Sequence, residues 1–253
     1  MRLIINADDC GKNLEVDNSI ARFIEAGKLT STTVMANMDD FDGAVRLFHQ
    51  YKDSVSFGVH LNLTEGSPLL YSQELLDKGY YRESAQGGLT FETDYPRQKM
   101  ATGSVRRALE RELCAQIEKV LDSGINISHI DSHHHIHTTL LLLGLMPKLS
   151  KRYGINKMRQ IRNYVPSASR INIALRHCWT KMIHLQNPAI VMPDFFCAFL
   201  VWHESGQPVR SDNTTWELMC HPGGFQQATE EPLLFGTDFS CLKDIQLINY
   251  NEL

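Results

Sequence analysis

Ile125-Asn126-Ile127-Ser128-His129-Ile130-Asp131-Ser132-His133-His134-His135-Ile136-His137 is a β-type run that passes directly into a histidine cluster. Gly124 stands before it, and the apolar, helix-like Leu140-Leu141-Leu142-Leu143 follows. The cluster therefore lies where a strand ends and the next helix has not begun. In α/β proteins that edge collects ligands and reactive groups. A histidine run can also be a tag-like surface patch, but such tags sit at termini and this one is internal. A metal or proton-transfer role for at least one of these histidines is the better reading. Strand alternation sends 129, 131 and 133 to one side and 130, 132 and 134 to the other. With 129 and 131 inward, His133 emerges at the open end of that face, and Asp131 beneath it is expected to orient its ring.

Outward from this stretch, strand-like and helix-like segments alternate in both directions. Leu3-Ile4-Ile5 is a buried-strand signal that ends in Asn6-Ala7-Asp8-Asp9-Cys10-Gly11. Val16, Ile20, Phe23 and Ile24 recur at helical spacing, with Gly27 as the stop. Residues 30–35 are β-branched, and 44–51 read as helix. Val55-Ser56-Phe57-Gly58-Val59-His60-Leu61-Asn62-Leu63 alternates, with Ser56, Gly58, His60 and Asn62 on one face and apolar residues on the other. Residues 64–101 have no period and read as a long inserted loop, which inside a compact domain is usually functional. Its aromatics Tyr71, Tyr80, Tyr81, Phe91 and Tyr95 either stack on a sugar ring or pack on the domain. Val105, Leu109, Leu113, Ile117 and Leu121 mark a long helix. Beyond the cluster, helices are expected at 139–153 and 166–185, and strands at 158–162, at 189–192 ending in Pro193-Asp194, at 216–220 ending in His221-Pro222-Gly223-Gly224, and at 245–248.

About seven or eight strands alternating with helices, with no Pro- or Gly-rich linker, point to one α/β domain over 1–253: a single TIM-like (β/α) barrel, incomplete or distorted. A doubly wound sheet would show a glycine-rich loop after its first strand, and Asp8-Asp9-Cys10-Gly11 is not one. The net charge of −4 leaves no basic footprint for nucleic acid. Six scattered cysteines with no C-x-x-C signal neither a zinc knuckle nor a redox dithiol. No apolar stretch approaches the roughly 20 residues of a membrane span, and no leader pattern precedes the first strand. These features lead us to expect a cytoplasmic chain, with a homodimer as the default assembly.

Parallel barrel strands bring their C-terminal ends to one rim, where Asp8 and Asp9, His60, the 129–137 cluster and His221 would meet. One Asp with two His is a familiar N,N,O metal set. A metal so held keeps a position for water and polarises a carbonyl, which is hydrolytic chemistry. Asp8 and His221 fit the base and acid of that reaction, since histidine's ordinary pKa of about 6.5 lets it carry a proton. Neighbours such as Asp8 and Asp9 point to opposite sides unless the chain turns there. Turn or cap chemistry is the ordinary use of such a pair.

The strings Asn6-Ala7-Asp8-Asp9-x-Gly11, Thr30-Ser31-Thr32-Thr33, Gly58-Val59-His60, Asp131-Ser132-His133-His134-His135-Ile136-His137 and Cys220-His221-Pro222-Gly223 resemble, in order, the YdjC family of carbohydrate deacetylases. The resemblance implies a (β/α) barrel and metal-dependent removal of N-acetyl groups from amino sugars or oligosaccharides. By position it implies Asp9, His60 and His133 as ligands of one divalent ion, magnesium or zinc, and Asp8 as base. Arg159 and Asp194 fall where the family has strand-end residues near the substrate. The stretch 225–242, with Thr229-Glu230-Glu231-Pro232, is shorter than the family's helical tail and reads as irregular. Two rivals stand beside this. A two-metal amidohydrolase or phosphoesterase would use His133-x-His135 or His135-x-His137. A non-catalytic, metal-stabilised sugar-binding relic would keep the site without turnover.

Overall fold

In the computed structural model, every residue is described except 86, 94–102, 140, 141, 143, 165–169, 210–212 and 243. Chain order runs β1 (Arg2–Cys10), α1 (Leu14–Glu25), β2 (Ser31–Val34), α2 (Phe41–Tyr51), β3 (Ser56–Leu61), α3 (Gln73–Asp77), β4 (Tyr81–Glu83), β5 (Leu89–Phe91), α4 (Gly103–Asp122) and β6 (Ile130–Ser132). It continues with a 3-10 turn over His133–Thr138, then α5 (Met146–Tyr153), α6 (Arg170–Gln186), β7 (Phe195–Ala198), α7 (Phe199–Glu204), β8 (Thr215–Cys220), α8 (Gln227–Gly236) and β9 (Gln246–Leu247).

The main sheet is parallel, in the order β6-β3-β2-β1-β8-β7, with β9 joining Arg2 and Leu3 of β1. It curls into a half-barrel. Beyond β6, among the described residues, it continues through single bridges, Ile130 to Met158 and Lys157 to Val191. The strands expected at 158–162 and 189–192 are thus reduced to these points. One reason is local: the Gln160 side chain takes the Ile161 N–H at 2.9 Å, a donor that a ladder would need. The strand that does form lies after Pro193-Asp194, over Phe195–Ala198.

Helices cover the outer face because their apolar stripes have nowhere else to go. Val16, Ile20 and Phe23 of α1, Ala44 and Leu47 of α2, and Leu109, Leu113 and Ile117 of α4 join Phe57, Val59 and Leu61 of β3 in one core. The inner face is polar, as the alternation of β3 requires. Ser56 Oγ donates to Ser31 Oγ at 3.0 Å, and His60 reaches the rim. The side chain of Asn13 caps α1 by accepting from Val16 N at 3.0 Å.

The inserted region is more regular than its sequence suggests, with α3 and the antiparallel pair β4–β5 inside it. Tyr80, Tyr81 and Phe91 are buried in the core, so they pack on the domain and offer no stacking face; Tyr71 is exposed, and Tyr95 lies outside the described residues. The helix expected from 139 begins only at Met146, after the 3-10 turn, and residues 140, 141 and 143 of that stretch lie outside the described ones. Residues 166–169 of the next expected helix lie outside them too.

Gly58 shows how tightly the interior is filled. A Cβ there would meet the His129 ring at 2.5–2.8 Å, and that ring is stacked on Tyr250 at 3.5 Å and 6°. Gly58→Ala is therefore expected to lower stability by about 1–3 kcal/mol through overpacking, read as a lower urea midpoint. An unchanged midpoint would mean that His129 can retreat.

Candidate active site and metal centre

The pairing of β1 with β2 slips between Ala7 and Cys10. At the slip Asp9 adopts φ 69° and Gly11 φ 86°. Left-handed backbone is tolerated by Asp and natural for Gly. This bulge overrides strand alternation, so Asp8 and Asp9 both line one cavity with His60, His133 and His221, about 750 Å³ in volume.

Asp9 Oδ1 lies 2.8 Å from His133 Nδ1 and 3.3 Å from His60 Nε2. It is buried, and neither approach has hydrogen-bond geometry. His60 turns its other nitrogen, Nδ1, to Asp131 Oδ1 at 2.6 Å. Thr33 Oγ1 donates to Asp131 Oδ2 at 3.2 Å. A carboxylate on one imidazole nitrogen, with the other nitrogen aimed at a second carboxylate, is the arrangement that metal-ligating histidines use. Asp9, His60 and His133 can bring one ligand atom each within 4.8 Å of one another. The donor set and the orphaned Asp9 oxygen fit a divalent ion.

Asp131 therefore supports His60 and not His133, the partner expected from its strand position. Its carboxylate is opposite His60 because β6 pairs with β3 in the register His60 to Asp131. His133 has a different partner. His134 and His135 take φ 51° and 53°, ending the strand abruptly. This leaves His133 Nε2 3.2 Å from Glu65 Oε2, and Lys12 Nζ lies 2.7 Å from the same oxygen. His134 points to Thr64 Oγ1 at 3.0 Å. No sequence pattern singles out Glu65 or Lys12; Glu65 sits just past the alternating strand in a segment with no period.

The charges are strongly coupled. Burial alone would push His60 down, but Asp131 and Asp8 lift it to about 10. Contact with His133 leads in holding Glu65 down at about 2, against burial and helped by Lys12. Burial would raise Asp9, yet His133 and His60 hold it well below the usual carboxylate range. The cluster thus draws positive charge to the point where these ligand atoms converge.

Asp8 has its own clamp. Arg159 Nη1 and Nη2 donate to its two oxygens at 2.8 and 2.6 Å, and Asn6 Nδ2 donates to Oδ1 at 2.8 Å. Burial opposes ionisation, but Arg159 outweighs it and holds Asp8 below its ordinary pKa. The same guanidinium meets Glu217 Oε1 at 2.8 Å and Asp131 Oδ2 at 2.7 Å. Arg159 is completely buried and stands behind Asp8. Asp194 precedes β7, at the edge away from the rim, is exposed, and accepts from Thr215 N at 2.8 Å.

His221 lines the cavity beside Asp8. Its turn is held by the segment that reads as irregular in sequence. Residues 227–236 form α8 in spite of Pro232, and Glu230 Oε2 accepts from His221 N at 2.5 Å while Glu231 Oε1 accepts from Gly223 N at 2.9 Å. Of the remaining cluster members, His129 is stacked inside the half-barrel. His137 Nδ1 lies 2.6 Å from Ser132 Oγ, with burial and Arg159 pressing its pKa down to about 3.

Asp131→Asn is expected to weaken divalent-metal affinity about 10–100-fold by loosening His60. Chelator competition measures this, and an unaltered affinity would take Asp131 out of that role.

Comparison with known proteins gives a consistent picture. A family model described as YdjC-like protein matches residues 2–248. A carbohydrate deacetylase of Geobacillus stearothermophilus is 29% identical, over 98% of this chain and 96% of its own length. A carbohydrate deacetylase of Listeria monocytogenes serotype 4b (strain CLIP80459) is 38% identical over 63% of this chain and 61% of its own. Among solved structures, a candidate cellobiose-phosphate cleavage protein of Enterococcus faecalis V583 superposes with TM-score 0.76 at 23% identity, over 99% of this chain and 98% of that one. That likeness supports the fold.

Proposed function

The chain belongs to the YdjC-like family, and from that premise we propose that it is a metal-dependent hydrolase removing N-acetyl groups from amino sugars or their oligosaccharides, with 1–253 working as one barrel-type domain. The observation that carries this reading is the convergence of Asp9, His60 and His133 in the cavity that Asp8 and His221 also line. The carbohydrate deacetylases among its relatives support the reaction class.

Asp9, His60 and His133 would hold one divalent ion, zinc or magnesium, through two imidazoles and a carboxylate. When bound, such an ion supplies Lewis acidity toward the acetamide oxygen and a nearby water. Asp8 accepts the proton of the attacking water, its ionised form kept ready by Arg159. His221 donates to the departing sugar nitrogen, its backbone turn anchored by Glu230. Asp131 holds the His60 imidazole, and the Glu65 carboxylate lies 3.2 Å from that of His133. No helix among the described residues is long and apolar enough to cross a membrane. The six cysteines are free thiols, in keeping with a reducing, cytoplasmic setting. We keep the homodimer as the working assembly.

The two-metal rival has less support. Among the described residues, neither His135 nor His137 joins a group of three able to share a cation. The deciding experiment is acetate release from N-acetylglucosamine and its β-1,4 oligomers, with metal content measured in the same samples. We expect release that is abolished by chelation and restored by one equivalent of metal per chain. Two tightly bound ions would favour the amidohydrolase reading, and sugar binding without acetate at any metal loading would favour the relic.

A further inference from the structure

The bulge that turns Asp8 and Asp9 into the cavity is held at Gly11 by two further aspartates. Asp17 Oδ1 accepts from Gly11 N at 2.6 Å, and Asp40 N donates to Gly11 O at 3.0 Å. Asp17 belongs to α1 and is only 4% exposed, and Asp40 is the N-cap of α2. Each carboxyl keeps one buried oxygen, Oδ2, with no hydrogen-bond partner among the described residues. The two oxygens meet over Gly43, where a Cβ would lie 2.5 Å from Asp40 Oδ2 and 2.6 Å from Asp17 Oδ2. Asp40 is also out of its ordinary role. An N-cap aspartate usually accepts from the first turn of its helix, and the Asp40 side chain makes no such bond.

Two buried acceptors that face each other without a donor are costly, because each gives up water and gains no partner. One proton removes the cost at both ends. Placed on Asp17 Oδ2, it makes that oxygen a donor and Asp40 Oδ2 its acceptor. Carboxylates held together retain a proton for the same reason, since both cannot ionise cheaply. Asp40 is the better acceptor of the two, because negative charge is favoured at a helix N-terminus. Burial pushes Asp17 up to about 7, opposed by the Gly11 N–H and helped by the charge of Asp40. Among the described residues, two other titratable or charged side chains reach the pair. One is Cys10 of β1, whose thiol is pushed up by burial and by Asp17; the other is the exposed Arg46 of α2, 3.5 Å from Asp40 Oδ1.

We propose that Asp17 and Asp40 share one proton, and that this proton latches the bulge carrying Asp8 and Asp9. The latch is independent of the reaction that the site performs. The test follows the carboxyl carbons of carbon-13-labelled aspartates in spectra of the full chain between pH 4 and pH 9. One carboxyl, absent from Asp17→Asn, should titrate with a midpoint of about 7, against about 3.9 for an unperturbed aspartate. Asp40→Asn offers an amide N–H where the proton stands, and should bring that midpoint well below 7. The latch itself is read from hydrogen exchange at the Gly11 amide, corrected for the intrinsic rate. A folded-state pKa above the unfolded value means that the stabilisation is lost as pH rises through it. Gly11 protection should therefore fall about 10-fold between pH 6 and pH 8 in the wild-type chain, the size of one lost hydrogen bond, and stay level in Asp40→Asn. Asp17→Asn, whose amide can face Asp40, should stay level too and serves if the other variant does not fold. A wild-type chain with no aspartate midpoint above the ordinary range overturns the proposal, as does a midpoint that Asp40→Asn leaves unmoved. Gly11 protection that is level in the wild type, or falls equally in the variants, overturns the latch. A midpoint that drops when sodium or magnesium chloride replaces choline chloride at fixed ionic strength would put a cation between the carboxylates in the proton's place, and overturns it as well.

Discussion

Asp8→Asn is expected to leave bound metal in place and to lower turnover by about 10²–10⁴-fold, the range for loss of one general base. The substitution is nearly isosteric, and its amide oxygen can still accept from Asn6 Nδ2 or Arg159. What it removes is the ability to take a proton. The proposed ligand atoms belong to Asp9, His60 and His133, so metal content should survive, whereas Asp9→Asn should lose metal affinity first. The Arg159 clamp also sets the size of the effect. It keeps Asp8 ionised but lowers its basicity, and a general base works best when its pKa lies near the operating pH. We therefore expect the loss toward the lower end of the range. Acetate release and metal content are measured on the same preparation. Near-normal turnover would remove Asp8 as the base; an Asp8→Asn protein without metal would mean that the two aspartates exchange roles.

The parts of this site legible in sequence are those governed by local rules. Strand alternation identifies His60 as inward, and the density of histidines after a strand locates the rim. Asp8 and Asp9 are visible as a pair, but their shared orientation depends on a bulge. The bulge needs Asp9 at φ 69°, a conformation that no pattern of apolar residues announces. The partners of each group are less legible because they are set by register between strands distant in sequence. Asp131 faces His60 through pairing across 71 positions, and Arg159 reaches Asp8 across 151. The half-barrel shows the same limit. Its strands from β1 to β3 follow hydrophobic periodicity, whereas the weak stretch after β6 fails where the Gln160 side chain takes a ladder donor. Residues 225–242 look irregular because Pro232 interrupts the helical pattern, yet the Glu230-Glu231 pair within them holds the His221 turn.

Removal of Arg159 should have the largest effect on stability. Its guanidinium is buried among the carboxylates of Asp8, Asp131 and Glu217, at 2.6–2.8 Å from each. Tyr250 OH donates to Glu217 at 2.6 Å, tying in the segment that follows β9. Taking away the cation leaves three buried acids with no other arginine or lysine among the described residues in contact, and breaking a buried pair from one side typically costs about 3–5 kcal/mol. Arg159→Met, which keeps much of the volume, is expected to lose that amount near neutral pH in urea unfolding of chelator-treated protein. Arg159→Lys should recover only part of it, since one ammonium cannot reproduce the paired N–H bonds to Asp8 while also reaching Glu217. The pH dependence separates charge from packing. Burial already lifts Glu217 to about 7, against the opposing pull of Arg159, and without that cation the remaining acids rise further. A folded-state pKa above the unfolded value means that the folded chain binds more protons, so stability falls as pH rises through that range. The deficit of Arg159→Met should therefore be smaller at pH 5, where the acids can stay protonated, than at pH 8. A deficit that is the same at both would mean that Arg159 matters for its packing and not for its charge.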